Sequence, residues 1–83
     1  MSYFVYILRT NLNTLYTGQT NNLKKRMQEH KFGNRGSKYM RKFSSFELVY
    51  TEGFATRSEA MKREIELKKW TKVKKEKLIS NLI

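Results

Sequence analysis

The sequence has no cysteine, no proline and no aspartate, and it has one histidine. Without cysteine, disulfide bonds, zinc sites built on thiolates and enzymes with a cysteine nucleophile are all excluded. Without aspartate, the acidic side chains are glutamates alone. A metal site must therefore use glutamate, with or without the histidine, and this favours Mg²⁺ held beside a substrate phosphate over a closed zinc or calcium cage.

Long apolar runs are also missing. No stretch approaches the roughly 20 apolar residues that a membrane span needs, and Met1-Ser2-Tyr3 does not begin a basic region followed by an apolar one. We therefore expect a cytoplasmic protein that does not contact a membrane. Because 83 residues leave no room for a second hydrophobic core, we expect residues 1–83 to form a single domain.

Acidic residues are scarce relative to basic ones. The chain has 18 Lys and Arg against seven acidic residues, a formal net charge of +11, and eight of the basic residues lie within residues 22–45. Such an excess favours a polyanionic partner, usually nucleic acid, and a solubilising surface is the alternative. A polybasic membrane-surface protein is less favoured, because no predicted helix has the face of Trp, Phe and Leu that would insert into a membrane. The expected non-specific phosphate contacts are Lys24, Lys25, Lys38, Arg41 and Lys42.

Apolar and turn residues predict an α+β domain in the order β-β-α-(α)-β-α-α, with a small, three-stranded, mainly antiparallel sheet. Residues 3–9 are β-branched and aromatic, and residues 15–19 follow a turn signal, so together they predict a hairpin. Gly18 is expected to end the pairing of that hairpin or to bulge it. Residues 46–54 predict a third strand, in which apolar side chains alternate with polar ones.

The first helix is predicted over residues 22–30, with Asn21 or Asn22 as its cap. Within it, Arg26 and His30 are spaced i, i+4 and border an apolar face, which would place both next to the core. Arginine suits a phosphate oxygen, and histidine suits proton transfer or a hydrogen bond to phosphate. A surface pair on a basic helix is the equally open alternative.

The clearest helix, over residues 57–69, opens on a capping box at Thr56–Glu59. Thr71 is expected to cap a last helix that ends near Ile79. A further short helix is expected near residues 37–40, in a segment rich in loop-forming residues.

Glu64 is the most informative position on the long helix. At about 100° per residue, Glu64 falls inside the arc of apolar side chains. The members of this arc are Leu67, Ala60, Met61 and Ile65. An inward carboxylate is costly unless it is paired or bound to a metal. A functional role and a structural ion pair with Lys68, one turn on, are therefore both open.

Two tyrosines, Tyr6 and Tyr16, lie on the two arms of the predicted hairpin. Their rings share one face of the sheet if the residue numbers of opposed pairs sum to an even value, and they lie on opposite faces otherwise. The sequence leaves this register open. Because tyrosines are common in strands, a structural role is the simpler interpretation of either residue taken alone.

The order and spacing of five short segments resemble the GIY-YIG nuclease family, particularly its small stand-alone bacterial members and the N-terminal domain of the excision-repair nuclease UvrC. The matching segments are Phe4-Val5-Tyr6, Tyr16-Thr17-Gly18, Leu23–Arg26 followed by His30, Ser58–Glu64, and Lys77-Leu78-Ile79 with Asn81. Phe4 stands where the first motif of the family has glycine. Gln19 stands where some relatives have a catalytic lysine.

The resemblance implies an endonuclease that hydrolyses phosphodiester bonds in nucleic acid, DNA more than RNA, with one Mg²⁺ or Mn²⁺ held by Glu64. It also implies that Tyr6 takes a proton from the attacking water, with a pKa lowered by nearby cations, and that Tyr16 hydrogen-bonds the water or the phosphate. Arg26 would stabilise charge on the phosphate, and His30 would assist the proton transfer.

Two other functions also fit the sequence. One is a nucleic-acid-binding module of the same fold with weak or no activity. The other is a small basic ribosome-associated or architectural protein. The aromatic content of 13% and the inward position expected for Glu64 disfavour the second, since such a protein needs neither.

Overall fold

A computed structural model describes residues 2–32 and 45–81 of the protein. In chain order its elements are β1 (Tyr3–Thr10), β2 (Leu15–Thr20), α1 (Leu23–Phe32), β3 (Phe46–Phe54), α2 (Arg57–Lys68) and α3 (Lys72–Ser80). This order confirms the predicted α+β class. The short helix expected near residues 37–40 lies outside the described residues, as do Lys38, Arg41 and Lys42.

The sheet is antiparallel throughout, with β1 between β2 and β3. The central position of β1 explains its unbroken apolar run, because helices cover both of its faces. Val5 packs with Ala60 and Leu67 of α2, whereas Tyr6 and Leu8 belong to a second cluster, into which α1 packs. The four residues from Val5 to Leu8 are all fully buried.

The structure corrects the prediction for Gly18, which neither ends nor bulges the hairpin. Gly18 lies inside β2 opposite Tyr6, and the pairing continues past it to Phe4 and Thr20 without a register shift. The position requires glycine for space, since a Cβ there would lie 2.5 Å from the hydroxyl oxygen of Tyr6 and 2.6 Å from its Cζ. The Tyr6 ring therefore crosses directly over the backbone of β2.

The strand β3 does not keep the simple alternation that its sequence predicts. A bulge opposite Ile7 and Leu8 makes Tyr50 the partner of Ile7 and Leu48 the partner of Leu8. Neighbouring residues of β1 point to opposite faces, so Leu48 and Tyr50 do as well. Tyr50 is consequently buried, and Leu48 is exposed.

The predicted helix caps are confirmed. Oδ1 of Asn22, not of Asn21, accepts from the backbone N–H of Lys25. The hydroxyl of Thr56 accepts from the N–H of Glu59 at the start of α2, and that of Thr71 accepts from the N–H of Lys74 at the start of α3. These local bonds satisfy helix N–H groups that have no partner within the helix.

The apolar arc predicted for α2 is wrong in part. Met61 and Ile65 are 40% and 52% exposed, whereas Ala60 and Leu67 are fully buried. The face of α2 that meets the sheet is therefore rotated away from Met61 and Ile65. Glu64, between Ala60 and Leu67 at helical spacing, lies on the buried stripe itself.

Two polar contacts on the α3 side hold α3 near the sheet. Arg9 of β1 donates through both terminal nitrogens to the carboxylate of Glu76, at 2.6 and 2.7 Å. Trp70, between α2 and α3, has the guanidinium of Arg63 and the ammonium of Lys74 over its ring, at 5.2 and 4.1 Å from the ring centroid. No helix in the described ranges has the length and apolar character to cross a membrane.

Candidate active site

The hydroxyl of Tyr6 is the centre of a buried polar group. It lies 2.9 Å from Nε2 of His30 and accepts a longer hydrogen bond, of 3.4 Å, from Nε of Arg26. Arg26 and His30 are one turn apart on α1, so both side chains reach the same side of the sheet. The predicted border position of these two residues is confirmed, because Arg26 is half-buried and His30 is buried.

Tyr16 completes an aromatic cluster around this hydroxyl. The pairs Tyr6–Gly18 and Leu8–Tyr16 both sum to an even number, so the side chains of Tyr6 and Tyr16 share one face of the sheet. Their ring centroids are 6.4 Å apart, and the centroid of Tyr16 lies 5.6 Å from that of His30. The register of the strands thus decides whether the two tyrosines share a face, which the sequence left open.

The environment raises the pKa of Tyr6 to about 12. Burial is the main cause, and the charge of Glu64 and the phenol of Tyr16 add to it, while the hydrogen bond from Arg26 opposes it. The hydrogen bond and charge of Arg26 oppose this rise without reversing it, so the side chains alone do not produce the lowered pKa that the base role needs. Tyr6 is a neutral phenol at neutral pH. Burial removes the water that would stabilise a phenolate, and this loss is larger than the stabilisation that the guanidinium of Arg26 provides.

His30 is also uncharged at neutral pH. Burial lowers its pKa, the positive charge of Arg26 lowers it further, and Glu29 acts in the opposite direction. Its Nε2 faces the Tyr6 hydroxyl, and its Nδ1 is buried and has no hydrogen-bond partner among the described residues. A neutral imidazole in this position can accept the phenolic proton through Nε2.

The position of Glu64 is compatible with both alternatives that the sequence left open, a functional role and a structural ion pair with Lys68. Its side chain is 18% exposed, and Oε2 lies 3.5 Å from Nζ of Lys68, so the structural ion pair does form. Its charge also makes a minor contribution to the raised pKa of Tyr6. Within the described segments, Lys68 is the one hydrogen-bond or ion-pair partner found for the Glu64 carboxylate.

The donor atoms available for a metal ion are few. Among the residues that the structure describes, no three His or Glu side chains come together as an ion site. One half-buried carboxylate can still hold Mg²⁺, since this ion takes its remaining ligands from water and from substrate phosphates. The carboxylate of Glu64 fits such a site, whereas the buried Nε2 of His30 is already engaged with Tyr6.

Three other predicted positions lie outside this cluster. Lys24 and Lys25 are exposed on α1, as expected for non-specific phosphate contacts. Asn81 is exposed at the C-cap of α3, where its backbone N–H donates to the carbonyl of Lys77, a structural role.

Sequence reasoning missed Phe46 and a cavity next to Arg26. The ring of Phe46 packs edge-on against His30, with the centroids 6.0 Å apart. The cavity also borders Gln19 and Arg57. The sequence did contain an indication that Arg57 lies near the site. Arg57 precedes Glu64 by seven residues, so the two side chains share one face of α2.

Comparison with known proteins identifies the family of this chain. The GIY-YIG catalytic domain family matches residues 2–77. A UPF0213 protein of Natronomonas pharaonis is 44% identical over 79 residues, which cover 95% of this chain and 92% of the relative. The solution NMR structure of a UPF0213 protein from Bacillus halodurans is 39% identical, with a TM-score of 0.64, over 99% of this chain and 86% of that one. A solution NMR structure from E. faecalis is 34% identical, with a TM-score of 0.68, over 98% of this chain and 85% of that one. The chain therefore belongs to the GIY-YIG nuclease family, alongside the UPF0213 proteins.

Proposed function

We propose that the protein is a metal-dependent endonuclease that hydrolyses phosphodiester bonds in nucleic acid, with DNA preferred to RNA. The observation that carries this proposal is the buried group of Tyr6, His30 and Arg26, on which the charge of Glu64 acts. A phenol, an imidazole, a guanidinium and a carboxylate come from three separate elements. Buried polar groups are costly, and their concentration with shifted pKa values is typical of a functional site.

Glu64 would hold one Mg²⁺ or Mn²⁺, and the bound ion would stabilise negative charge on the phosphate and on the leaving oxygen. The position suits this role because the side chain of Glu64 is mostly buried but still accessible, with 18% of its surface exposed. Lys68 is half-exposed, so its ammonium can move into solvent and leave the carboxylate at little cost.

The Tyr6–His30 pair is suited to move the proton of the attacking water. Because Tyr6 is a neutral phenol, it acts as one member of a relay and not as a free phenolate. The water proton passes to the Tyr6 oxygen while the phenolic proton passes to Nε2 of His30, which becomes an imidazolium. The water oxygen bonds to phosphorus, the bond to the leaving 3′ oxygen breaks, and the 3′ oxygen takes a proton from solvent. The imidazolium then passes its proton back through Tyr6 to water, which restores the neutral pair.

Arg26 links this pair to the substrate. Its bond to the Tyr6 hydroxyl is long, at 3.4 Å, and its side chain also borders the adjacent cavity. A phosphate there would compete for the guanidinium, because a charged acceptor binds arginine more strongly than a phenol does. The Tyr6 hydroxyl would thereby be freed for the water, and Tyr16 would supply a second hydroxyl beside it.

The test is Glu64→Ala in a nicking assay on supercoiled and branched DNA with Mg²⁺ or Mn²⁺, with an RNA of matched sequence run in parallel. Glu66→Ala is the matched control, since it removes a glutamate from the other side of the same helix. We expect Glu64→Ala to abolish cleavage and to leave binding unchanged, because one carboxylate contributes little to a net charge of +11. The control should cleave like the wild type.

A second measurement on the same variant separates the alternatives. If Glu64 serves mainly as the partner of Lys68, its removal will lower the melting temperature and leave any cleavage unchanged. If the wild type binds nucleic acid but cuts neither DNA nor RNA with either ion, the chain is a binding module of the same fold.

A further inference from the structure

A cavity of about 360 Å³ opens beside the Tyr6, His30 and Arg26 group. Arg26 lines the cavity and also donates to the Tyr6 hydroxyl, so the cavity lies next to the candidate site. Its volume is within the range of sites for small ligands. Arg57, the first residue of α2, is also part of its wall.

The arginines of the cavity give it a positive charge that is only partly compensated. Arg26 has Glu29 as an ion-pair partner at 3.4 Å. Arg57 is exposed, and within the described ranges no carboxylate pairs with it. A guanidinium without an acidic partner is suited to bind a phosphate through two parallel hydrogen bonds. The charge of the cavity therefore favours an anionic ligand.

The position of Arg57 on α2 relates it to Glu64. At seven residues apart, the two side chains differ by about 20° around the helix and by about 10 Å along it. A strand rises about 3.4 Å per nucleotide, so one that follows this face passes from Glu64 to Arg57 within about three nucleotides. Arg57 is thus placed to meet a nearby phosphate of the strand that Glu64 and Arg26 would hold.

The remaining wall offers groups that recognise a base. The side-chain amides of Gln19 and Asn21 can each donate and accept hydrogen bonds. The ring of Tyr3, half-buried at the start of β1, offers a surface on which a base can stack. A site for a free phosphate needs neither amides nor a ring, so the full set suits a nucleotide.

We propose that this cavity is a nucleotide subsite, in which Arg57 binds a phosphate within about three nucleotides of the scissile one. Gln19, Asn21 and Tyr3 contact the base that belongs to this phosphate. The assignment of the ligand to a nucleic-acid strand rests on the proposed nuclease function, because Arg26 belongs to both sites. Gln19 therefore serves in binding at the position where some relatives have a catalytic lysine.

The subsite is tested by NMR titration with trithymidylate in the absence of divalent metal. We expect the side-chain amide signals of Gln19 and Asn21 to shift. Arg57→Gln should weaken binding about three- to tenfold, the loss expected for one charged contact to phosphate. Lys62→Gln removes the same charge from the opposite face of α2 and should change binding less than about twofold.

A second series replaces each phosphate of the trinucleotide in turn by a neutral methylphosphonate. One of these replacements should weaken the binding of the trinucleotide to the wild type and to Lys62→Gln. The same replacement should not weaken binding to Arg57→Gln any further, because the replacement and the substitution remove the same contact. Equal effects of Arg57→Gln and Lys62→Gln would overturn the subsite. So would amide signals that stay unshifted, or that shift as much with inorganic phosphate as with trithymidylate.

These readouts do not depend on cleavage. A protein that binds trithymidylate in this way but never cuts DNA would refute the nuclease and leave the subsite intact. A protein that cuts DNA with unchanged affinity in Arg57→Gln would refute the subsite alone.

Discussion

Gly18 supports the site through its lack of a side chain, and Gly18→Ala tests that role. A Cβ at this position would lie 2.5 Å from the Tyr6 hydroxyl oxygen and 2.6 Å from Cζ, so the ring must move. Because Tyr6 is fully buried, it has no free space to enter. Movement would also break its 2.9 Å bond with His30, a buried residue.

The expected cost of Gly18→Ala follows from these two effects. Overpacking a well-packed core costs about 1–3 kcal/mol, and leaving a buried polar group without its partner costs a similar amount. Since the two effects share one ring movement, we expect a total loss of about 2–4 kcal/mol in the free energy of unfolding. For a domain of this size, that loss lowers the melting temperature by roughly 10–25 °C.

The control is Gly53→Ala, because Gly53 is also in a strand paired with β1. There a Cβ would meet Phe4 at 3.8 Å, an ordinary contact. Alanine also loses less chain entropy than glycine on folding, so Gly53→Ala should be neutral or stabilising by up to about 1 kcal/mol.

Unfolding of both variants in urea measures this difference. Equal stabilities of Gly18→Ala and Gly53→Ala would refute the close approach of Tyr6 to β2. The double variant Gly18→Ala/Tyr6→Phe adds a further check. It should recover little stability, because Cζ remains 2.6 Å from the new Cβ after the hydroxyl is gone.

The titrations of His30 and Tyr6 provide two further predictions. The pKa of His30 is lower in the folded protein than its ordinary value of 6.5, so the unfolded chain takes up the proton first and stability should fall as the pH decreases below about 6.5. Melting curves between about pH 7 and 5 should therefore show a weaker pH dependence in His30→Gln, and an unchanged dependence would contradict the buried neutral imidazole. The pKa of Tyr6 is raised to about 12, and burial also raises the pKa of Tyr50. Ultraviolet titration should therefore find late-ionising tyrosines, and the contribution near pH 12 should be missing in Tyr6→Phe. The stability that this neutral phenol provides should be lost as the pH rises from about 10 through 12.

The elements of the fold could be predicted because their signals are local. Thr56 and Thr71 accept from N–H groups three residues ahead, so four consecutive residues specify where α2 and α3 begin. The unbroken apolar run of β1 likewise indicates a strand without knowledge of its neighbours. Asn13 has a φ of 63°, a conformation that asparagine tolerates, and this explains why the turn between β1 and β2 was evident from sequence.

The candidate site residues could be named from the order and spacing of short motifs, but their chemistry could not be derived from them. The sequence has several cations near Tyr6 and suggests a lowered pKa, whereas the depth of burial decides the opposite direction. The face of α2 that is buried also differs from the predicted one. Met61 and Ile65 are more apolar than Glu64, yet Glu64 lies on the buried stripe.

The sequence by itself determined where strands and helices begin, because caps, turns and apolar runs act between residues close along the chain. Tertiary structure alone decided the register that puts Tyr6 and Tyr16 on one face, the passage of the Tyr6 ring over Gly18, and the cavity between Arg26 and Arg57. Each of these depends on contacts between residues far apart in the chain. A shift of one residue in the pairing would reverse the face of every side chain in β2, and no local signal in the sequence records that choice.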